Sequence, residues 1–380
     1  MSYRDRVNSP GPKKLLALDG GGIRGVITLE VLLRLESMLA EQLGAGDDFV
    51  LGDYFDYIGG TSTGAVIAAG LAKGLRVGEL LGLYVTRCEE MFDHASLRRR
   101  YQYRYGSEGL KELLQDKLGK DTTLGSEDLK TLLLIVVRNA TTDSPWPLSN
   151  NPKALFNDPS REDNNLAIPL WQLVRASTAA PTYFPPELVT LGAHDFVFID
   201  GAVTMYNNPA FQLFLMATLD AYRLCWPATE SDLLLVSVGT GISPKADDHL
   251  RPGAMNLLFN ANSVPAALMY AALNQQDLLC RVFGRCRHGA PIDREVGDLM
   301  HGQGLLEKRL FSYVRYNADL SRRGLDDLGL NDVLPEEVQR LDSIQHIGDL
   351  RRVGQAAARD VAPEHLAGFL GAVGDIAVPD

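Results

Sequence analysis

The chain has 380 residues, 46% hydrophobic and 22% charged, with 37 basic against 48 acidic side chains and a formal net charge of −11. That composition supports a large core and excludes a disordered, collagen-like or disulfide-scaffold protein. An acidic balance also argues against a general binder of nucleic-acid polymers.

Taken in chain order, residues 1–14 are polar, and the first apolar run, Leu15-Leu16-Ala17-Leu18, is too short for a signal-peptide core. No clean apolar run approaches the 18 or so residues of a membrane span. The expectation is a cytoplasmic protein that meets the inner face of a membrane peripherally, if at all. The first run predicts a strand that stops at Asp19 and a glycine cluster. Val31/Leu32, Leu35, Met38/Leu39 and Leu43 then recur at helical spacing until Gly44. Tyr57-Ile58 predicts a second strand, and residues 65–72 a helix of small side chains. Further strands are predicted at 132–137, 196–199 and 233–238. Strands alternating with helices point to an α/β fold with a parallel sheet. Residues 143–165 and 240–252 are expected as long irregular loops. After about Asn317 the sequence turns charged and helical. Cys88, Cys225, Cys280 and Cys286 have neither zinc nor redox spacing and are expected as reduced thiols.

Three motifs carry chemistry. Gly60-Thr61-Ser62-Thr63-Gly64 is a G-x-S-x-G placed between a strand and a helix. A nucleophilic serine must project from a tight turn, and glycines on either side let the backbone bend and a substrate approach. The helix that follows aims free N–H groups at the site, favouring negative charge there. Asp19-Gly20-Gly21-Gly22-Ile23-Arg24-Gly25 presents several backbone donors to one point. They could form an oxyanion hole. They could equally cradle a phosphate, since Gly20, Gly22 and Gly25 satisfy G-x-G-x-x-G. Asp200-Gly201 ends a strand, where open α/β sheets place their sites. A conventional triad would need a histidine; His249 and His301 follow Ser62 and Asp200 in chain order, and no motif positions either. Dinucleotide-binding oxidoreductase, triad esterase and non-catalytic lipid-binding scaffold therefore remain open alternatives on the residues alone.

The three motifs together resemble the signature of the patatin-like phospholipase family: D-G-G-G-x-R-G, then an early G-x-S-x-G, then D-G-[GA]. Residues 174–186, Asn207-Asn208-Pro209 and Ser237-Val238-Gly239-Thr240-Gly241 also fit that family. The resemblance spans roughly residues 13–317. It implies a three-layer α/β/α fold with a mainly parallel sheet, a catalytic domain over residues 13–320 and a helical extension packed on it over 321–380. It implies a serine acyl hydrolase acting on glycerophospholipids or lysophospholipids. Ser62 would be the nucleophile and Asp200 the base, through an acyl-enzyme and without metal or cofactor. Gly20, Gly21, Gly22 and Arg24 would serve the oxyanion, and Gly60, Thr61, Thr63 and Gly64 the elbow. Arg98, Arg99, Arg100 and Arg104, interleaved with tyrosines, are expected to meet anionic headgroups or a small anionic activator. Arg281, Arg285, Arg287 and His288 form a second basic cluster. Some family members are switched on by cyclic nucleotides in antiviral defence, and the resemblance permits that role here.

Overall fold

Continuous apolar runs leave no face for solvent, so the strands they form must be covered on both sides. The computed structural model describes residues 2–91, 103–242, 251, 255–293, 295–301 and 306–371, without the side chains of residues 257–262. Within them one sheet is built from Lys13–Leu18 (β1), Tyr57–Thr61 (β2), Leu132–Asn139 (β3), Ser144–Ser149 (β4), Glu187–Leu191 (β5), His194–Asp200 (β6), Leu233–Val238 (β7), Arg285–His288 (β8) and Ser312–Tyr316 (β9). Hydrogen-bonded neighbours run β5-β6-β3-β2-β1-β7-β9-β8, with β4 also on β3. The pairs β1–β2, β1–β7, β2–β3, β7–β9 and β8–β9 are parallel. The pairs β3–β4, β3–β6 and β5–β6 are antiparallel. Helices flank this largely parallel sheet, so the architecture is the mixed α/β class that the alternation of elements predicts. The strands β1, β2, β3 and β7 are buried along almost their whole length.

The helix Gly25–Gln42 follows the glycine cluster and buries Val26, Leu29, Leu32 and Leu35. The C-terminal helix Ile347–Ala357 lies against it, and Arg351 Nε donates to the buried Glu30 at 2.7 Å. The helix Thr63–Ala72 is buried throughout. Its small side chains allow the close approach: a Cβ on Gly64 would stand 2.2 Å from the Leu18 carbonyl oxygen.

The strand β3 sets the position of the site. Its residues 132–136 pair with β2, with Thr61 opposite Val136. Its residues 137–139 pair with β6, with Val137 opposite Asp200. Because β4 pairs with residues 134–139 and overlaps both partners, β4 occupies the other edge, and β2 and β6 share this one. The end of β2 and the end of β6 therefore meet beside Val136 and Val137.

Several expectations need correction. Residues 143–165 are not wholly irregular, because β4 lies within them. Pro145 and Pro147 mask the strand in the sequence; both are tolerated because β4 is an edge strand and the two prolines stand at alternate positions. The strands β5, β8 and β9 are further additions to those read from the sequence. The second basic cluster does not form one surface patch: Arg285 is exposed and lies 3.6 Å from Glu230, whereas the other members turn to interior partners. Arg281 is buried and donates to Asp277 at 2.9 and 2.8 Å. Arg287 donates to the Ala367 carbonyl at 2.5 Å, and the His288 ring stacks on His365 at 4.3 Å. All four cysteines are free. Among the described residues no helix is long and apolar enough to cross a membrane.

Candidate active site

Where β2 ends, the chain must turn sharply to enter the helix Thr63–Ala72. Ser62 makes that turn with φ 56° and ψ −122°, a conformation L-residues rarely adopt, so strain is stored at this residue. The flanking glycines are there for space: a Cβ on Gly60 would stand 2.1 Å from the Gly64 carbonyl oxygen. The Ser62 Oγ donates to Asp200 Oδ2 at 2.7 Å, and both residues are buried. The other carboxylate oxygen, Oδ1, accepts the Ala202 N–H at 2.7 Å. Burial pushes the Asp200 carboxyl up to about 7, against the opposing pull of the Ala202 N–H, the Ser62 hydroxyl and the charge of Arg175.

The C-terminal end of the helix Leu170–Ser177 and the residues just after it hold both Ser62 and Asp200. The Ser62 N–H donates to Ser177 Oγ at 2.9 Å, and Ser177 Oγ donates to the Val136 carbonyl at 2.6 Å. Two residues on, the Ala179 carbonyl accepts the Asp200 N–H at 3.0 Å. Gly201 rests directly on the same Val136 carbonyl, which would lie 2.3 Å from a Cβ at that position.

The glycine cluster is pinned from several sides. The Asp19 carboxylate receives both Arg315 guanidinium nitrogens, at 2.8 and 2.5 Å, in a fully buried pair, and Arg315 also donates to Ser237. Burial would weaken Arg315's hold on its proton, but Asp19's charge and hydrogen bonds outweigh that and hold it protonated above its ordinary value. Thr240 Oγ1 donates to the Gly20 carbonyl at 2.9 Å, and the Leu341 carbonyl accepts the Ile23 N–H at 2.9 Å. The Gly20 N–H is itself taken by the Asn207 carbonyl at 3.1 Å. Gly20 is thus not a free donor. Gly21 and Gly22 have no backbone acceptor for their N–H groups among the described residues. Arg24 is half-buried, with Nε 3.5 Å from the Gly21 carbonyl.

These residues converge on a cavity of about 470 Å³. Ser62, Asp200, Gly20, Gly21, Gly22 and Arg24 all line it, beside an apolar wall that includes Val66, Met91, Leu110 and Phe184. Thr63 lines it too, its hydroxyl bonded to Tyr84, whereas Thr61 turns its hydroxyl onto the Tyr206 carbonyl at 2.6 Å. A pocket of this size with few convergent polar groups suits a small, largely apolar ligand. No histidine lines it among the described residues; His301 is exposed, and His249 lies outside the described residues. Arg98, Arg99 and Arg100 also lie outside them, while Arg104 pairs with the buried Asp342 at 2.7 Å. Among the described residues one group, Glu337, His346 and Asp349, brings three metal-capable side chains together, and none of them lines the cavity.

Ser62 and Asp200, which the sequence motifs single out, meet in the structure; Ser177 and Arg315, which support them, carry no motif. Ser177 stood in the Arg175-Ala176-Ser177-Thr178-Ala179 stretch without a role, and Arg315 carried no motif. A lone arginine in the apolar run Phe311-Ser312-Tyr313-Val314 onward was the available signal, because a buried cation needs a partner.

A family model described as "Patatin-like phospholipase" matches residues 16–214. The chain is 33% identical over 241 residues to a cGAMP-activated phospholipase of Vibrio cholerae, covering 60% of this chain and 64% of that one. It is 32% identical over 239 residues to an intracellular phospholipase A2 of Caenorhabditis elegans, covering 60% of this chain and 20% of that one. It is 28% identical over 260 residues to Patatin-17 of Solanum cardiophyllum, covering 61% of each. The chain thus matches less than two thirds of the length of each of these relatives.

Proposed function

The chain belongs to the patatin-like phospholipase family, and from that premise we propose that it is a serine acyl hydrolase cleaving fatty-acyl esters of glycerophospholipids or lysophospholipids through a Ser62–Asp200 dyad. The observation that carries this reading is the 2.7 Å hydrogen bond from Ser62 Oγ to Asp200 Oδ2 at the wall of the cavity.

In the proposed reaction Ser62 Oγ bonds to the ester carbonyl carbon as its proton passes to Asp200 Oδ2. The carbonyl oxygen becomes an oxyanion facing the N–H groups of Gly21 and Gly22, with Arg24 adding positive charge. Collapse breaks the ester C–O bond, and Asp200 returns the proton to the departing alcohol. Water then attacks the acyl-enzyme, Asp200 takes its proton, and the second collapse frees the fatty acid and restores Ser62. A carboxylate with an ordinary pKa is a weak base; one raised to about 7 by burial is matched to this task near neutral pH. The Val66, Met91 and Leu110 wall would receive the acyl chain.

The reading extends to a protein that works at the inner face of a membrane and answers to a small anionic or cyclic-nucleotide activator. Support for the activator comes from the likeness to cGAMP-activated phospholipases of Vibrio cholerae and Escherichia coli, at 33% and 29% identity. The test is fatty-acid release from phosphatidylcholine and lysophosphatidylcholine vesicles, with and without cyclic dinucleotides. Release by the wild type that is lost in Ser62→Ala supports the hydrolase. Equal release by both proteins overturns it, and release indifferent to every cyclic dinucleotide removes the activator.

A further inference from the structure

We propose that the Asn207 side-chain amide donates a hydrogen bond to the oxyanion formed at Ser62, which makes Asn207 a further catalytic residue; this rests on the Ser62–Asp200 reading.

The chain brings Asn207 to the nucleophile by a short route. Asp200 ends β6, Gly201–Val203 forms a single helical turn, and the following residues fold back over β2. Thr61 Oγ1 donates to the Tyr206 carbonyl, and the Gly20 N–H donates to the Asn207 carbonyl. Asn207 is thereby fixed between the residue that precedes Ser62 and the glycine cluster. Its side chain lies against Gly20. A Cβ on Gly20 would stand 2.4 Å from Asn207 Oδ1 and 3.2 Å from Ser62 Cβ. Glycine at position 20 is what makes room for this amide beside the nucleophile.

The amide's own hydrogen bonding indicates its direction. Asn207 is 8% exposed and lines the cavity. Its Oδ1 is sealed from solvent and has no hydrogen-bond partner. A side-chain amide has one acceptor oxygen and one NH2 donor group. With the oxygen sealed in the wall, the polar group left to face the cavity is the NH2. Native proteins rarely leave a buried side-chain oxygen unpaired, and each such exception calls for an explanation. Here the unpaired oxygen leaves the NH2 group of a cavity-lining residue beside Ser62 as the available donor for negative charge developing there. Asn207 also accounts for the lost donor: its backbone carbonyl removes the Gly20 N–H from the oxyanion set, and its side chain supplies a replacement.

The experiment uses the full chain and p-nitrophenyl butyrate, a short soluble ester, with Asn207→Ala, Asn207→Asp and Ser62→Ala beside the wild type. Removing one oxyanion donor should lower kcat by about 10²–10³-fold in Asn207→Ala while KM changes little. Asn207→Asp should be at least as impaired, because a carboxylate would face the oxyanion. A trifluoromethyl ketone, which forms an oxyanion on Ser62, should lose affinity in both variants, while a non-hydrolysable ether analogue keeps its affinity. Thermal melts identify a variant that fails to fold, in which case the nearly isosteric Asn207→Asp carries the test. Wild-type rates in Asn207→Ala overturn the proposal. So do wild-type rates in Asn207→Asp, which would make the side chain an acceptor. A parallel loss of both inhibitors also overturns it, because it would show general disruption of the pocket. If hydrolysis does not depend on Ser62, the dyad reading fails and takes this proposal with it; Ser62-dependent hydrolysis indifferent to Asn207 overturns this proposal alone.

Discussion

Thr61 and Asp200 are consecutive partners on one edge of β3, Thr61 opposite Val136 and Asp200 opposite Val137. Two strands approach from opposite directions and end against neighbouring residues of a third, which brings Ser62 and Asp200 together although 138 positions separate them in the chain. The separation of Ser62 and Asp200 is therefore set by a backbone repeat in the sheet, not by loop packing. Ser177 reinforces it, binding the Ser62 N–H and the Val136 carbonyl through one hydroxyl.

Ser177→Ala should consequently lower kcat on a soluble ester by about tenfold or more with little change in KM, since a misplacement of the nucleophile by a fraction of an ångström is costly. The loss of two buried hydrogen bonds should also lower stability by roughly 1–3 kcal/mol. Steady-state kinetics and a denaturant titration check both. Unchanged kcat would mean that Ser62 holds its geometry without Ser177.

The raised carboxyl of Asp200 sets the pH dependence. In the proposed dyad Asp200 must be ionised to take a proton, and burial pushes its carboxyl up to about 7. Activity should therefore be low at pH 5, rise through about pH 7 and level off above it. A pH series of kcat/KM on a soluble ester measures this directly. A plateau already complete at pH 5 would show that Asp200 titrates as an ordinary carboxylate or is not the base.

The same group has a stability consequence of opposite sense. Folded Asp200 keeps its proton to about pH 7, whereas the unfolded side chain releases it near its ordinary value of 3.8. Between these values the folded state binds more protons, so this group's contribution to stability is complete below pH 3.8 and is lost as pH rises through 7. Asp200→Asn removes the buried charge. It should be inactive and, at pH 8, more stable than the wild type by roughly 1–3 kcal/mol. Chemical denaturation at pH 5 and pH 8 tests this, with the gain expected to be larger at pH 8.

The Asp19–Arg315 pair should behave as a buried ion pair whose single partners cannot be removed cheaply. Arg315→Met leaves an uncompensated carboxylate under the glycine cluster and should destabilise by about 3–5 kcal/mol. The double variant Asp19→Leu with Arg315→Met should recover part of that loss. A double-mutant cycle read by denaturant midpoints decides it; additive losses would show that the two side chains are not coupled.

The parts of the molecule that could be read from sequence are those with short-range physical signals. A glycine on each side of Ser62 and an apolar run ending at Asp200 are local patterns, and they identified the two residues that the fold joins. The apolar runs of β1, β3 and β7 announced buried strands in the same way. What sequence could not supply was pairing. Nothing local shows that Arg315 reaches Asp19 across 296 positions, or that Ser177 bridges Ser62 and Val136. The strand β4 was hidden for a different reason: Pro145 and Pro147 read as loop residues until the sheet shows them on an edge. The donor role of Gly20 was misread because its amide meets Asn207, a contact between segments 187 residues apart.

The most direct test of the account is labelling with a fluorophosphonate probe, which reports an activated serine without reference to any substrate. Wild type, Ser62→Ala and Asp200→Asn are treated in parallel, and the labelled residue is mapped by peptide mass spectrometry. A single modified residue, Ser62, is expected in the wild type, no label in Ser62→Ala, and labelling slowed by at least about 100-fold in Asp200→Asn. Label at another serine, or wild-type rates in Asp200→Asn, would contradict the dyad.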